Sequence, residues 1–343
     1  MKNMENMERD DIMKMNGIME KLYVGLDIHE KYITGTAMRK DGDIAFGGNF
    51  PNTKEAAQSF FSGIPGPQVK IAIEACGLWR GVYNMLTDLG YTVVMANPYK
   101  THQVVGAKDI DKVNSEALAD LLRTGYLPQV YIPTEDVLLL RDVARHRKRL
   151  VDERTRLQCM TKSYLLREGI KYPKNWNKES MEFFRNVNPY TAHFINIIDT
   201  INEQIKSMRK EIRGIARNSH LAGILQATPG IAEFSSLMIL GEIGDIKRFP
   251  RPKPLVSYAG LCPGIYQSGS KCYSVKNKAC NKWLKWIMYE CSGRAAKMDT
   301  KYRKHYWKVY KRKGKPTAKR SCARMMLTDV WFMLWNEEPF HPS

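Results

Sequence analysis

The chain has 343 residues, enough for about two domains of ~100–200 residues each, and its 43% hydrophobic content can supply buried cores. It holds no run of ~18 apolar residues, which excludes a membrane-spanning helix, and its seven cysteines form no CxxC pair. A disulfide scaffold and a zinc ribbon are thereby poor readings, and a reduced, cytoplasmic compartment is expected.

The net charge of +19 becomes informative once it is located. From Lys247 to Arg324 there are 15 Lys and 7 Arg against only Glu290 and Asp299, so this segment holds the whole excess. It is interleaved with Trp283, Trp286, Tyr302, Tyr306, Trp307 and Tyr310. Cations supplied with aromatic faces suit a phosphate backbone and its bases better than a membrane surface or a merely solvated face.

Taken in chain order, residues 1–20 alternate Met with Lys, Asp and Glu, lack the apolar core of a signal peptide, and predict an unstructured extension. Residues 21–133 predict an α/β domain. Leu22–His29 (LYVGLDIH) has strand character, with Tyr32–Arg39 as its hairpin partner across Glu30–Lys31. Val69–Ala75 and Thr92–Ala96 are further strands. Leu78–Leu89 has helical spacing and stops at Gly90, and Asn114 or Ser115 is the expected N-cap of a helix through Leu122. Alternating strands and helices imply a sheet with helices packed on it.

Residues 134–219 change character. Val143, Leu150, Leu157 and Tyr164 lie seven apart. After a break at Tyr172–Pro173, the positions Phe194, Ile198, Ile201, Ile205, Met208, Ile212 and Ile215 keep a strict 4-3 spacing. This predicts a coiled-coil helical insert, either an antiparallel hairpin within the chain or an arm between chains. Residues 220–343 form a third, mainly α region. Its Thr228-Pro229-Gly230-Ile231 turn before an apolar helix reads equally as a phosphate-binding helix start or as an ordinary turn between core helices. The Trp283/Trp286 pair is expected in a helix core.

The acidic residues of the first domain carry chemistry. Asp27 closes one strand, Glu74 closes another, and Asp111 precedes the helix expected near Asn114, with Asp109 two residues earlier. A carboxylate in an apolar strand costs free energy unless something pairs it. Taken singly, Asp27 as a turn acceptor and Glu74 as a helix cap are the competing readings. Together the three carboxylates point to a hard cation such as magnesium or manganese, suited to phosphodiester chemistry. His29 beside Asp27 reads as a surface histidine.

The order GLDIH, IEACG, DKVNSEALADLLRTG and LPQVYIP resembles the RuvC-like (RNase H-like), DEDD-type domain of the insertion-sequence transposases called the IS-one-ten family. The stretch from PGIAEFSSLMILGEIGDIKRFPRPKPLVSYAGLCPGIYQSGSK through NKACNKWLKWIMYECS resembles that family's transposase domain. The likeness runs from residue 22 to about 325. It implies a metal site at Asp27, Glu74, Asp111 and Asn114, with Asn114 standing where the family has aspartate. Three explanations stay open: weak coordination by Asn114, substitution by Asp109, or an impaired metal step. Loss of one charge beside a divalent ion implies reduced affinity.

The resemblance also makes Ser268, in Tyr266-Gln267-Ser268-Gly269-Ser270-Lys271, the nucleophile of a covalent phosphoserine link, with Ser270 as the fallback. From the residues alone this stretch reads as a loop. Lys271, Lys276, Lys278, Lys282, Lys285, Arg320 and Arg324 are the expected nucleic-acid contacts. Implied partners are double-stranded DNA at element ends and target, a structured guide (bridge) RNA, and further copies of the chain as a dimer assembling to a tetrameric synapse. Two rivals remain: a Holliday-junction-type nuclease that needs no serine, and a weakened nucleic-acid-binding relative.

Overall fold

A computed structural model describes residues 21–64, 66–105, 111–262, 264–268, 271–275 and 280–340; at 105, 111–112, 264–268 and 271–275 the description is of the backbone. The extension expected at 1–20 lies outside the described residues. The chain divides into two compact units, with the boundary between Ile132 and Pro133.

The first unit is built on a six-stranded sheet: β1 (Leu22–Ile28), β2 (Tyr32–Met38), β3 (Ile44–Pro51), β4 (Val69–Glu74), β5 (Thr92–Ala96) and β6 (Gln129–Val130), in the order β3-β2-β1-β4-β5-β6. β1, β2 and β3 pair antiparallel; β1–β4 and β4–β5 pair parallel. Helices α1 (Lys54–Phe60), α2 (Trp79–Asp88), α3 (Pro98–Val105) and α4 (Asp111–Thr124) fill the connections. The strands expected at 22–29, 32–39, 69–75 and 92–96 are present, as is the helix that stops before Gly90, whose φ of 86° is the left-handed geometry of a helix terminator.

Strand alternation sorts the side chains. Val24, Leu26, Ile71 and Ile73 enter one core with Val82 and Leu86 of α2. The opposite face carries Tyr23, Ala72 and Ala96 against Leu118, Leu121 and Leu122 of α4. Gly25 lets α4 lie directly on β1: a Cβ there would sit 2.1 Å from the Ser115 carbonyl oxygen and 2.6 Å from the Ala119 nitrogen. Parity puts Asp27 on the same face as Gly25, and Glu74 on the same face as Ala72. Both strand-end carboxylates therefore belong to the side covered by α4.

The helix expected to be capped by Asn114 or Ser115 in fact already includes Asp111, so neither residue is a cap. Their side chains serve tertiary contacts instead: Asn114 Nδ2 donates to Asp27 at 3.2 Å, and the Ser115 and Thr36 hydroxyls lie 2.8 Å apart. Asp111 accordingly opens the described helix rather than preceding it.

Among the described residues the second unit is helical apart from one hairpin. α5 (Glu135–Arg167) and α7 (Pro189–Arg217) run antiparallel within the chain, joined at the far end by α6 (Lys178–Val187). Thr134 and Asn188 cap the two long helices, and Pro189 follows in the first turn of α7. Leu157, Leu165, Phe184, Ile195, Ile198, Ile201 and Ile205 form one core. The inner ends, Val143 with Ile212 and Ala216, belong instead to a larger core with α8 (His220–Gln226), α9 (Glu233–Ile243), α10 (Pro252–Tyr258), α11 (Lys282–Ala295) and α12 (Lys301–Asn336). The helical stretch and the C-terminal region thus share a unit. The 228–231 turn packs inward, Gly230 lying so close to α11 that a Cβ would be 2.5 Å from the Cys291 carbonyl oxygen. That is the turn between core helices. Among the described residues no helix is long and apolar enough to cross a membrane.

Candidate active site and nucleic-acid interface

Parallel pairing of β1 with β4 sets Leu26 opposite Ile73, so the next residues, Asp27 and Glu74, end neighbouring strands side by side. Burial raises the Glu74 pKa above the usual carboxylate value; His102 of α3 opposes this and the charge of Asp27 adds to it. His29 Nε2 stands 3.8 Å from Asp27 Oδ2, with its ring stacked on Tyr32. Asn114 reaches the same Asp27 oxygen from α4. An ionised carboxylate only accepts, so the amide nitrogen must face it and the amide oxygen is left for another partner.

Asp111 lies one helical turn before Asn114, on the same side of α4. Asp109 lies outside the described residues. The structure thus brings Asp27, Glu74 and Asn114 to one sheet end, and the backbone of Asp111 to the same helix. Among the described residues no three His, Cys, Asp or Glu side chains form a ready metal cluster. The donor set is nonetheless of the type a hard divalent cation takes: two carboxylates held close, one with its charge disfavoured, plus an amide oxygen. A cation there would reverse the electrostatic strain on Glu74.

Ser268 belongs to the second unit. It is the last residue of β7 (Gly264–Ser268), which pairs antiparallel with β8 (Lys271–Val275), Ser268 opposite Lys271. The stretch expected as a loop is a hairpin with a two-residue connection. Ser270, Lys276 and Lys278 lie outside the described residues.

The hairpin's roots are firmly held. Leu261 is buried before it. After it, Asn281 caps α11 through Leu284 N, while its amide nitrogen donates to Glu242 at 2.8 Å and to Tyr258 Oη at 3.0 Å. Glu242 is fully buried and receives two hydrogen bonds from Arg145 of α5, at 2.7 and 2.8 Å. Sequence reasoning missed Glu242. Its signal was an acid inside the apolar stretch Leu237–Ile243.

Lys282 is exposed and Lys285 half-buried on α11, while Arg320 is exposed and Arg324 half-buried on α12. Trp283 and Trp286 are packed against the core as expected, under Arg145 and Lys148 respectively. Tyr302 is wholly buried and donates to Asp329 at 2.8 Å. Among the described residues of the basic segment, the exposed aromatics are Trp307 and Tyr310.

Comparison with known proteins adds the following. One family model, a transposase model of the DEDD type named for IS110, matches residues 24–168. A second, described as the transposase IS116/IS110/IS902 family, matches residues 222–308. The y4qE protein of Sinorhizobium fredii is 25% identical over 233 residues, covering 65% of this chain and 58% of the relative. The transposase for insertion sequence element IS1328 of Yersinia enterocolitica is 22% identical over 235 residues, covering 66% and 70%. The pilin gene-inverting protein of Moraxella bovis is 26% identical over 208 residues, covering 58% of each chain. The chain thus spans less than two thirds of the length of the first and third of these relatives.

Proposed function

This chain belongs to the IS116/IS110/IS902 family of transposases, and we propose that it is an enzyme that cuts and rejoins DNA strands through a phosphoserine formed on Ser268. The observation that carries the reading is the meeting of Asp27 and Glu74 at the ends of adjacent parallel strands, beneath a helix that bears Asp111 and Asn114. The order β3-β2-β1-β4-β5, antiparallel then parallel, supports a RuvC-like (RNase H-like) first unit.

In this reading Asp27, Glu74, Asp111 and Asn114 hold magnesium or manganese, which when bound supplies positive charge to phosphoryl oxygens. The Ser268 Oγ attacks phosphorus; the new Oγ–P bond replaces the P–O bond to the departing strand, whose oxygen takes up the proton. Bond energy is kept in the phosphoserine, and a DNA hydroxyl reverses the step on the exchanged strand. Lys271, opposite Ser268 in the hairpin register, and Lys276, Lys278, Lys282 and Lys285 supply charge around the phosphate. The proposed partners are double-stranded DNA at element ends and target, a structured guide RNA, and further copies of the chain as a dimer assembling to a tetramer. The basic segment from Lys247 to Arg324 supports the nucleic-acid partners.

The test is capture of a denaturation-resistant protein–DNA adduct on element-end DNA with magnesium and element RNA. The adduct is expected from the native chain, absent from Ser268→Ala, and more abundant with Asn114→Asp. Cutting that survives Ser268→Ala without any adduct would overturn the serine mechanism in favour of a resolvase-type nuclease.

A further inference from the structure

Helix α12 is broken at Gly314, whose φ of 73° lies in the region that glycine enters without strain. Pro316 follows and restarts the helix. The arms 301–313 and 315–336 fold back on each other: Tyr302 bonds Asp329, and His305 Nε2 lies 2.8 Å from Ser321 Oγ. Toward the bend the arms part into a cleft of about 470 Å³, whose lining includes Arg312, Lys313, Arg320 and Arg324, with His305 and Ser321.

Its charge balance is one-sided. Several cations of the unit meet carboxylates, as in Arg145–Glu242, Arg185–Asp199, Arg213–Glu233 and Lys301–Asp329. Among the described residues, the four cations of the cleft form no ion pair, and no carboxylate lines it. From Lys301 to Arg324 the sequence has seven Lys, four Arg and no Asp or Glu. Four converging positive charges repel one another until an anion shares them. Burial, then Arg324 and Lys308, holds the His305 pKa below the usual imidazole value, leaving a neutral ring and hydroxyl able to hydrogen-bond an oxygen ligand.

The side of the first arm turned away from the cleft lining adds a second chemistry. Trp307 and Tyr310 keep 47% and 40% of their surface exposed, their ring centroids 5.1 Å apart, and Tyr306 stacks on Tyr310. Large aromatic faces left in water on an arm rich in Lys and Arg are an arrangement that receives unstacked bases.

We propose that this cleft is a phosphodiester-binding site for a single nucleic-acid strand, one backbone phosphate lying between the arms and bases further along the strand stacking on Trp307 and Tyr310 on the other side of the first arm. The strand is DNA or RNA, since both present the same phosphodiester. The assignment goes beyond the recombinase reading and needs neither Ser268 nor the carboxylates, so either can fail alone.

The experiment is equilibrium binding of the full chain to a fluorescent single-stranded oligonucleotide, in DNA and RNA versions, and to the matching duplex. It is run in EDTA across a salt series. Arg312→Gln and Arg320→Gln are expected to weaken single-strand binding and to lower the log–log salt slope by about one. The double variant lowers the slope by little more than either alone, because both arginines serve one phosphate. Trp307→Ala should weaken single-strand binding about 5- to 100-fold, leave the salt slope unchanged and spare the duplex. Loss confined to the DNA or the RNA arm identifies the natural strand. Wild-type affinity and slope in the double variant would overturn the site, slopes that add independently would reduce it to a diffuse basic surface, and equal effects of Trp307→Ala on strand and duplex would overturn the stacking.

Discussion

Replacing Glu242 by Ala tests what holds the serine hairpin's root. The carboxylate is fully buried and accepts from two Arg145 nitrogens and from Asn281 Nδ2, the residue that caps α11. Removing one member of a buried pair costs about 3–5 kcal/mol, chiefly because the other charge is stranded. The Arg145 side chain keeps 29% of its surface exposed. Water therefore relieves part of the stranding, and about 3–4 kcal/mol is the working figure. For a unit of roughly 200 residues each kcal/mol moves Tm by about 2–4 °C, so Glu242→Ala should melt about 6–16 °C below the native protein. Pairing Glu242→Met with Arg145→Met should recover most of this, because apolar packing replaces a pair that must be desolvated. Calorimetry or denaturant unfolding followed by tryptophan fluorescence reads both variants. A single substitution costing under about 1 kcal/mol, or a double no better than the single, would refute the reasoning.

Gly25→Ala should destabilise the first unit by about 3 kcal/mol or more, since its Cβ meets α4 backbone that cannot yield; a native-like Tm would show that α4 does not lie on β1 as described. Exposed Cys159 should react with a thiol reagent in the folded protein, while Cys291 and Cys322, buried with thiol pKa values pushed up to about 11 and about 12, should react only on unfolding. Because the folded His305 pKa lies below its unfolded value, the unfolded state takes up the proton first as pH falls. Stability should therefore decline from about pH 6.5 downward through the folded pKa, and His305→Gln should flatten that limb of a pH–stability curve. Asn114→Asp should lose about 1–3 kcal/mol in EDTA, as a donor to Asp27 becomes a second carboxylate, and should gain more on adding magnesium than the native chain does; equal responses would count against a cation at this position.

What could be read from sequence was set by local pattern. Alternation in VGLDI and IAIE fixed two strands and the positions of Asp27 and Glu74, and Gly90 marked a helix end whose geometry requires glycine. β3 escaped notice because IAFGGNFP carries two adjacent glycines and no clean alternation. The α4 start was misjudged because Asn114 and Ser115 have cap chemistry; their actual partners, Asp27 and Thr36, are 87 and 79 residues away. Distance along the chain also hid the Glu242–Arg145 pair and set His305 against Ser321 across a bend that one Gly-Lys-Pro run creates.

Asn114 shows how one departure from an acidic pattern changes the physics of a site. Glu74 already bears the strain of burial and of Asp27's charge. A carboxylate at 114 would add a third negative group within reach of Asp27, and in the absence of a cation the fold would resist it by protonation or by moving the helix. The amide avoids this by donating the proton that Asp27 needs. The same amide would bind a divalent ion less tightly than a carboxylate, because its oxygen carries no net charge. If the site takes a cation, position 114 would therefore lower its affinity while sparing the first unit a third negative charge when no cation is bound. In the metal-binding reading, occupancy should depend on what arrives with the ion, and a nucleic-acid phosphate would supply the missing negative charge. Cation and DNA are accordingly expected to bind with positive coupling, each tightening the other by the same factor. Magnesium titrated against the native chain, with and without DNA, should show that coupling shrink in Asn114→Asp, where the protein brings the charge itself.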